Sequence, residues 1–271
     1  MSEREPTGEL TDVRYEQQDG LAWITIDRPQ RLNAFTAHTV EELIGCFKRA
    51  WAAPGVGVVA LTGAGERAFC VGGDQQQRRS TGDYGPSRSG LFEIEELHRV
   101  IREIPKPVIA AVNGLAIGGG HVLHVICDLS VAADHARFGQ AGPRVGSFDA
   151  GFGTGYLARV VGEKRAREIW FLCRQYSAEE AERWGLVNNV VPLAELPGEV
   201  RRYADEILAL SPTALRFLKQ SFNADSEHLA GQASLAFSGL EQFLSSEEAQ
   251  EGISAFDEKR PPDFGRFRGR G

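Results

Sequence analysis

The sequence is poor in sulfur, with four cysteines and one methionine in 271 residues. Cys46, Cys70, Cys127 and Cys173 are widely separated and make no metal-ligand spacing. Neither a metal site nor a disulfide framework is expected; reduced, mostly buried thiols are. Long apolar runs are missing too. No stretch approaches the length of a membrane span, and the first residues, MSEREPTGELTD, have neither the basic nor the apolar region of a signal peptide. The expectation is a cytoplasmic protein with no membrane partner. Positive charge is not in excess either: the net charge is -7, which argues against a nucleic-acid partner. Lys259, Arg260, Arg266, Arg268 and Arg270 form the one basic cluster, either a solvated tail or a contact for a ligand phosphate.

What is present suffices for a large α/β core. Hydrophobic residues make up 42% of the chain, enough for one large domain with or without a smaller appendage. Residues 1–12 are polar and read as a disordered tail. Val13 to Glu16 and Ala22 to Asp27 read as strands joined at Asp19-Gly20. Thr39 reads as the N-cap of a helix whose apolar face carries Val40, Leu43, Ile44, Phe47 and Trp51. Strands at Val56 to Leu61 and Val108 to Val112 each run towards a glycine-rich turn. Between them, Gln75 to Ser89 has no apolar period and reads as a mobile lid or a plain surface loop, and an amphipathic helix spans Gly90 to Ile104. Further strands are expected at Leu129 to Ala133, Ala136 to Gly139 and Asn189 to Val191. Helices alone follow, at Leu196 to Leu210, Pro212 to Phe222, His228 to Leu244 and Glu247 to Phe256. The βα rhythm stops near residue 190, which divides the chain into a core at 13–192 and a helical region at 193–271.

Ile109 to Asp128, IAAVNGLAIGGGHVLHVICD, carries the most chemical information. Its three glycines lead into a helix expected to run from Gly118 or Gly119 to Asp128. The first amides of such a helix have no partner inside it, and its dipole adds partial positive charge there. A lone glycine triplet is as well explained by tight packing of helix on strand. Phe69 to Asp74, FCVGGD, is a second turn of the same kind, however, and two such turns can aim two backbone donors at one oxygen. Downstream, GQAGPRVGSFDAGFGTG sets one carboxylate, Asp149, among small and apolar neighbours. That is the setting either of a loop-bracing aspartate or of a carboxyl with raised proton affinity suited to general acid/base work.

With FCVGGD at 69–74, PKPVIAAVNGLAIGGG at 105–120 and the helical tail, the chain resembles the crotonase, or enoyl-CoA hydratase/isomerase, superfamily over Tyr15 to Phe267. The resemblance implies a crotonase-like spiral of ββα turns followed by a C-terminal helical region that mediates trimerisation, as a homotrimer or homohexamer. It also implies an acyl-CoA substrate whose thioester oxygen is held by the amides of Gly73 and Gly119, with no tightly bound cofactor. Hydratases of the superfamily carry two glutamates at positions that match Val122 and Gly142 here, so simple enoyl-CoA hydration is disfavoured.

GGDQ at 72–75, GGGHVLHVICDL at 118–129, FGQAGPRVGSFDAGFG at 138–153 and AREIWFLCRQY at 166–176 resemble a narrower group, the 1,4-dihydroxy-2-naphthoyl-CoA synthases and the 2-ketocyclohexanecarboxyl-CoA hydrolases. The first close a ring beside a thioester and the second open one. By this resemblance Asp149 exchanges protons with substrate and Ser147 is placed to bond to it. Gln140, Ala141, Gly142 and Trp170 match a site for bicarbonate acting as base, with glycine at 142 leaving room for the ion; Trp170 reads equally as a core aromatic. Arg31 and Ala34 lie in a loop that resembles the CoA-binding loop, Gly72, Asp74 and Gln75 flank the first donor and by the same resemblance contact the acyl-CoA substrate, and Lys259 with Arg260 resembles a contact from a neighbouring subunit. One departure stands out: both groups place a tyrosine where this chain has Leu244. Tyr84 then either supplies a phenol from another direction or is a loop-tip residue. A CoA-binding assembly protein without turnover is the remaining alternative.

Overall fold

The computed structural model describes residues 10–269. Val13–Gln18 (β1) and Leu21–Ile26 (β2) pair antiparallel across Asp19-Gly20 and are followed by the helix Ala37–Ala52 (α1). Then come Val58–Gly63 (β3), Ala68–Cys70 (β4), Gln75–Thr81 (α2), Ile94–Glu103 (α3), Val108–Val112 (β5), Leu115–Ile117 (β6), Gly119–Val125 (α4), Leu129–Ala133 (β7) and Arg137–Gly139 (β8). Beyond a π-helical turn at Phe152–Tyr156 lie Leu157–Val161 (α5), Glu163–Leu172 (α6), Gln175–Ser177 (β9), Ala178–Arg183 (α7) and Asn189–Val191 (β10). Leu196–Leu208 (α8), Pro212–Ala224 (α9), His228–Leu244 (α10) and Glu247–Asp257 (α11) follow.

The strands divide between a six-stranded sheet, ordered β1-β2-β3-β5-β7-β10, and a four-stranded sheet, ordered β4-β6-β8-β9. Successive strands alternate between them: β3 lies in the large sheet and β4 in the small, then β5 and β6, then β7 and β8. With parallel neighbours in each sheet, this alternation winds the chain into the expected ββα spiral.

The central parallel strands of the large sheet, β3, β5 and β7, are buried on both faces. Val59, Leu61, Val108, Ala110 and Val112 face α1 and α3 in the main core, while Val58, Ala60, Ile109, Ala111, Val131 and Ala133 point the other way. That second face is covered by Leu196, Val200 and Ala204 of α8. The contact crosses the boundary expected at residue 192: α8 packs as part of the core. Two lysines tie helix ends to the spiral. Lys106 donates to the carbonyls of Ala50, Trp51 and Ala53 at the end of α1, and buried Lys219 donates to Ile101 O, Lys106 O and Asp128.

Several local expectations are corrected. The N-cap of α1 is Thr36, not Thr39: each threonine hydroxyl accepts from the other's amide, and Thr39 Oγ1 also donates to Asp12 at 2.5 Å. Gln75 to Ser89 is not wholly loop, because Asp74 caps α2 by accepting from the amides of Gln76 and Gln77, both at 3.1 Å. Its one buried residue is Arg78, which is why the segment shows no apolar period. Helix α4 stops at Val125, short of Asp128, because Asp128 bonds to Val108 through both its amide (2.9 Å) and its carboxylate (2.7 Å). Residues 1–9 of the expected tail lie outside the described residues, and Thr11 and Asp12 are held by the Glu42 carboxylate, each amide at 2.8 Å.

The first turn of α4, leaving β6, packs directly on the neighbouring strand β4. A Cβ on Gly120 would come within 1.9 Å of Cys70 O in β4, a backbone contact that cannot yield cheaply. Gly120→Ala is therefore expected to lower stability by about 1–3 kcal/mol, the usual cost of overpacking. Urea denaturation checks this, and an unchanged midpoint would show that the junction can open.

Candidate active site

Gly72 and Gly118 occupy backbone conformations with φ +86° and +58°, which favour glycine, and they turn the chain out of β4 and into α4. The turns abut. A Cβ on Gly72 would lie 2.9 Å from Gly119 N, and one on Gly119 would lie 3.4 Å from Gly72 Cα. Phe35 fixes the first turn, its amide donating to Gly72 O (2.9 Å) and its carbonyl accepting from Asp74 N (2.8 Å). In a parallel bridge of this kind the N–H of the intervening residue, Gly73, points away from Phe35. Among the described residues, neither Gly73 N–H nor Gly119 N–H has a protein acceptor. Two unpaired main-chain donors thus stand on adjoining turns.

The neighbours of the first turn hold it rather than face a ligand. Asp74 Oδ1 caps α2 while Oδ2 pairs with Arg28 at 3.0 Å, so both oxygens assigned to substrate contact are committed. Gln75 Nε2 folds back onto Gly73 O at 3.1 Å. Tyr84 stands against the turn, since a Cβ on Gly73 would meet its ring at 2.2 Å, and the ring stacks near Phe92 with centroids 4.5 Å apart. Cys70 lies beneath, its thiol pushed up to about 12 by burial, so it stays protonated and inert.

The third component follows β8. Gly118 N donates to Gly139 O at 3.0 Å, which sets the end of β8 beside the second turn, ten residues before Asp149. Asp149 Oδ1 accepts from the amides of Gly151 (3.0 Å) and Gly153 (3.4 Å), the bonding of a loop-bracing aspartate. Among the described residues Oδ2 has no hydrogen-bond partner, and the residue is half-buried. Burial raises its proton affinity against the opposing pull of the two amides. One oxygen braces; the other is available to carry a proton.

The surroundings of Asp149 depart from expectation. Ser147 does not bond to it: the serine amide donates instead to Gly142 O at 2.9 Å. Glycine at 142 leaves no room for an ion, because a Cβ there would meet Ser147 O at 2.7 Å. Trp170 Nε1 donates to Gly153 O at 2.5 Å and Gln140 Nε2 lies 3.4 Å from His121 Nδ1. The Trp170 and Gln140 side chains are thus engaged within the protein and Ser147 O crowds Gly142, so these side chains do not fit the ion, and no step is routed through it. Trp170 does pack beside the acid, since a Cβ on Gly153 would lie 3.0 Å from Asp149 Cγ and 3.1 Å from Trp170 Cζ2.

Of the residues expected to contact CoA, Arg31 is exposed and bonds to Gln76, Ala34 is buried with its carbonyl taken by Arg28, and Lys259 is exposed. Arg260 is used within its own tail, pairing with Glu251 at 2.6 Å. The sequence reading missed Arg78. This side chain is 4% exposed, donates through Nη2 to Gly146 O at 3.3 Å, and among the described residues has no partner for Nη1. It lines a cavity of about 220 Å³ with Leu244, Ile253 and Ser254. A buried arginine in the polar run QQQRR gives no pattern to find; the available signal was Asp74 as a helix cap.

For Asp149 the linkage has a definite sign. A carboxyl whose folded pKa lies above its unfolded value of about 4 binds more protons folded than unfolded, so stability falls as pH rises from that value through the raised one. Relative to Asp149→Asn, the wild type should lose stability across that window, measured by denaturation at a series of pH values; parallel curves would show that burial does not perturb this acid.

The chain's relatives can now be set beside this geometry. Residues 16–267 match the enoyl-CoA hydratase/isomerase family. An enoyl-CoA hydratase from Mycobacterium avium subsp. paratuberculosis is 30% identical, with a TM-score of 0.84 and coverage of 94% of this chain and 99% of that one. One from Geobacillus kaustophilus is 33% identical, with a TM-score of 0.73 and coverage of 95% and 99%. A carnitinyl-CoA hydratase from Mycobacterium avium is 29% identical, with a TM-score of 0.82 and coverage of 94% and 98%. The match spans both glycine turns, the Asp149 segment and the helical tail, and the chain belongs to the enoyl-CoA hydratase/isomerase family.

Proposed function

We propose that the protein makes or breaks a carbon-carbon bond in an acyl-CoA by way of a thioester enolate, most closely in the manner of a 1,4-dihydroxy-2-naphthoyl-CoA synthase. The observation that carries this reading is the pair of unpaired amides at Gly73 and Gly119 combined with a carboxyl that keeps one oxygen free. The thioester oxygen accepts from both amides, and each such donor is worth about 2.7–4 kcal/mol as charge develops. Asp149 Oδ2 moves the proton at the carbon beside the thioester. That carbon then bonds to a second carboxyl carbon of the acyl chain, and water leaves. Arg78 Nη1 suits the second carboxyl as a charge-assisted donor, and Tyr84, against the first donor turn, supplies the phenol that Leu244 lacks.

Run in reverse, the same groups open a ring: water adds to a ring ketone, the carbon-carbon bond breaks, and the enolate takes a proton. This is the hydrolase reading. The names of the similar structures point instead to hydration of an enoyl-CoA, but Val122 is fully buried and Gly142 has no side chain, so neither glutamate position can move a proton. For self-association, exposed Phe217, Phe222 and Leu235 on α9 and α10 support a homotrimer or homohexamer, which light scattering would distinguish from a monomer. A non-catalytic CoA-binding protein is the outcome if every substrate below fails while CoA binds.

Incubation with o-succinylbenzoyl-CoA, 2-ketocyclohexanecarboxyl-CoA and a short trans-2-enoyl-CoA, followed by mass analysis, separates the readings. Loss of one water from the first substrate is expected; gain of one water by the second marks the hydrolase, and hydration of the third would overturn both. With the substrate that reacts, Asp149→Asn should lower kcat by about 10²–10⁴-fold with CoA affinity retained. Arg78→Met should raise KM about tenfold or more, the loss of a charge-assisted bond. Full turnover in Asp149→Asn would remove that acid from the mechanism.

A further inference from the structure

A second cavity, of about 230 Å³, lies between α3 and the α9–α10 connection. Of the polar side chains of α3 that line it, two are buried: His98 is 2% exposed and Arg102 6%. Among the described residues neither imidazole nitrogen of His98 has a hydrogen-bond partner, and neither does Arg102 Nη1. Arg102 is otherwise held by Ser226 Oγ at 2.8 Å and by the rings of Phe152 and Tyr156, each 4.7 Å from its guanidinium carbon. No carboxylate of the protein pairs with it among the described residues. A buried guanidinium without an anion is costly, and a buried imidazole without any partner adds to that cost. Phe152, Ala233 and Phe237 supply the apolar part of the wall, and Asn223 and charged residues at the rim supply the rest.

We propose that this cavity binds a small carboxylate with an aryl or short alkyl body, its oxygens accepting from Arg102 Nη1 and from the His98 ring and its body lying against Phe152 and Phe237. His98 is neutral here, since burial first and Arg102 second hold its pKa down to about 4, so the ring offers one N–H donor and the site's positive charge is that of Arg102. The acidic residues at the rim do not exclude an anion. Glu96 is paired with Lys48 and Arg99, and Glu103 with Arg99, while Glu95 and Glu227 are exposed, where water and salt screen them. The site is separate from the acyl-CoA reading but shares structure with it: Phe152 sits between Gly151 and Gly153, whose amides hold Asp149.

Fluorine NMR titration of the intact chain with 4-fluorobenzoate tests this, with 4-fluorobenzyl alcohol as the uncharged control. The wild type should bind the acid, and Arg102→Gln should weaken it about tenfold or more, the loss of a charge-assisted bond. Because Arg102→Gln disturbs a buried group, Ala230→Trp provides an independent variant: Ala230 is exposed yet lines the cavity, so a large ring there obstructs the rim and should weaken the acid comparably. No binding by the wild type, equal affinity in Ala230→Trp, or an alcohol that binds as tightly as the acid would each overturn the proposal.

Discussion

The structure depends on a contact that admits no side chain. Gly72, Gly119 and Gly120 bring the exit of β4 against the first turn of α4 so closely that a Cβ at any of them would strike backbone or a ring. The spiral creates this proximity, because β4 and β6 are neighbours in the small sheet and each delivers its turn to the same edge. Donor geometry is thereby fixed by main chain on both sides. Main-chain donors cannot rotate away, which is the preorganisation that makes such a pair effective against developing negative charge.

Around that contact the polar side chains act mostly as fasteners. Lys106 and Lys219 close helix ends, Glu42 gathers three successive amides from residues 11 to 13, and Asp74 spends both oxygens on structure. Asp149 differs in spending only one. Its burial and its bracing by Gly151 and Gly153 oppose each other, and the raised proton affinity shows that burial prevails.

Much of this was legible in the residues themselves. Strands β3, β5 and β7 announce themselves as apolar runs because both their faces are covered, and both glycine turns are visible as punctuation after apolar runs. The three-residue strands of the small sheet are too short to show a period, and β9 was missed for that reason. Helix α2 escaped because its single inward residue is an arginine. Thr36 and Thr39 bond reciprocally, so residue type alone cannot rank them as caps. Gly142 was misjudged for a different reason: the space beside a glycine depends on the chain that faces it, here the carbonyl of Ser147, and no local pattern reports that.

Arg28 joins segments far apart in the chain: it pairs with Asp12 at 3.3 Å and Asp74 at 3.0 Å, and also holds Ala34 O. Asp74 follows directly on the donor residue Gly73. A substitution at position 28 is therefore felt at a turn 45 residues later, and a chain without this arginine must re-anchor that turn by some other route or lose the alignment of its amide.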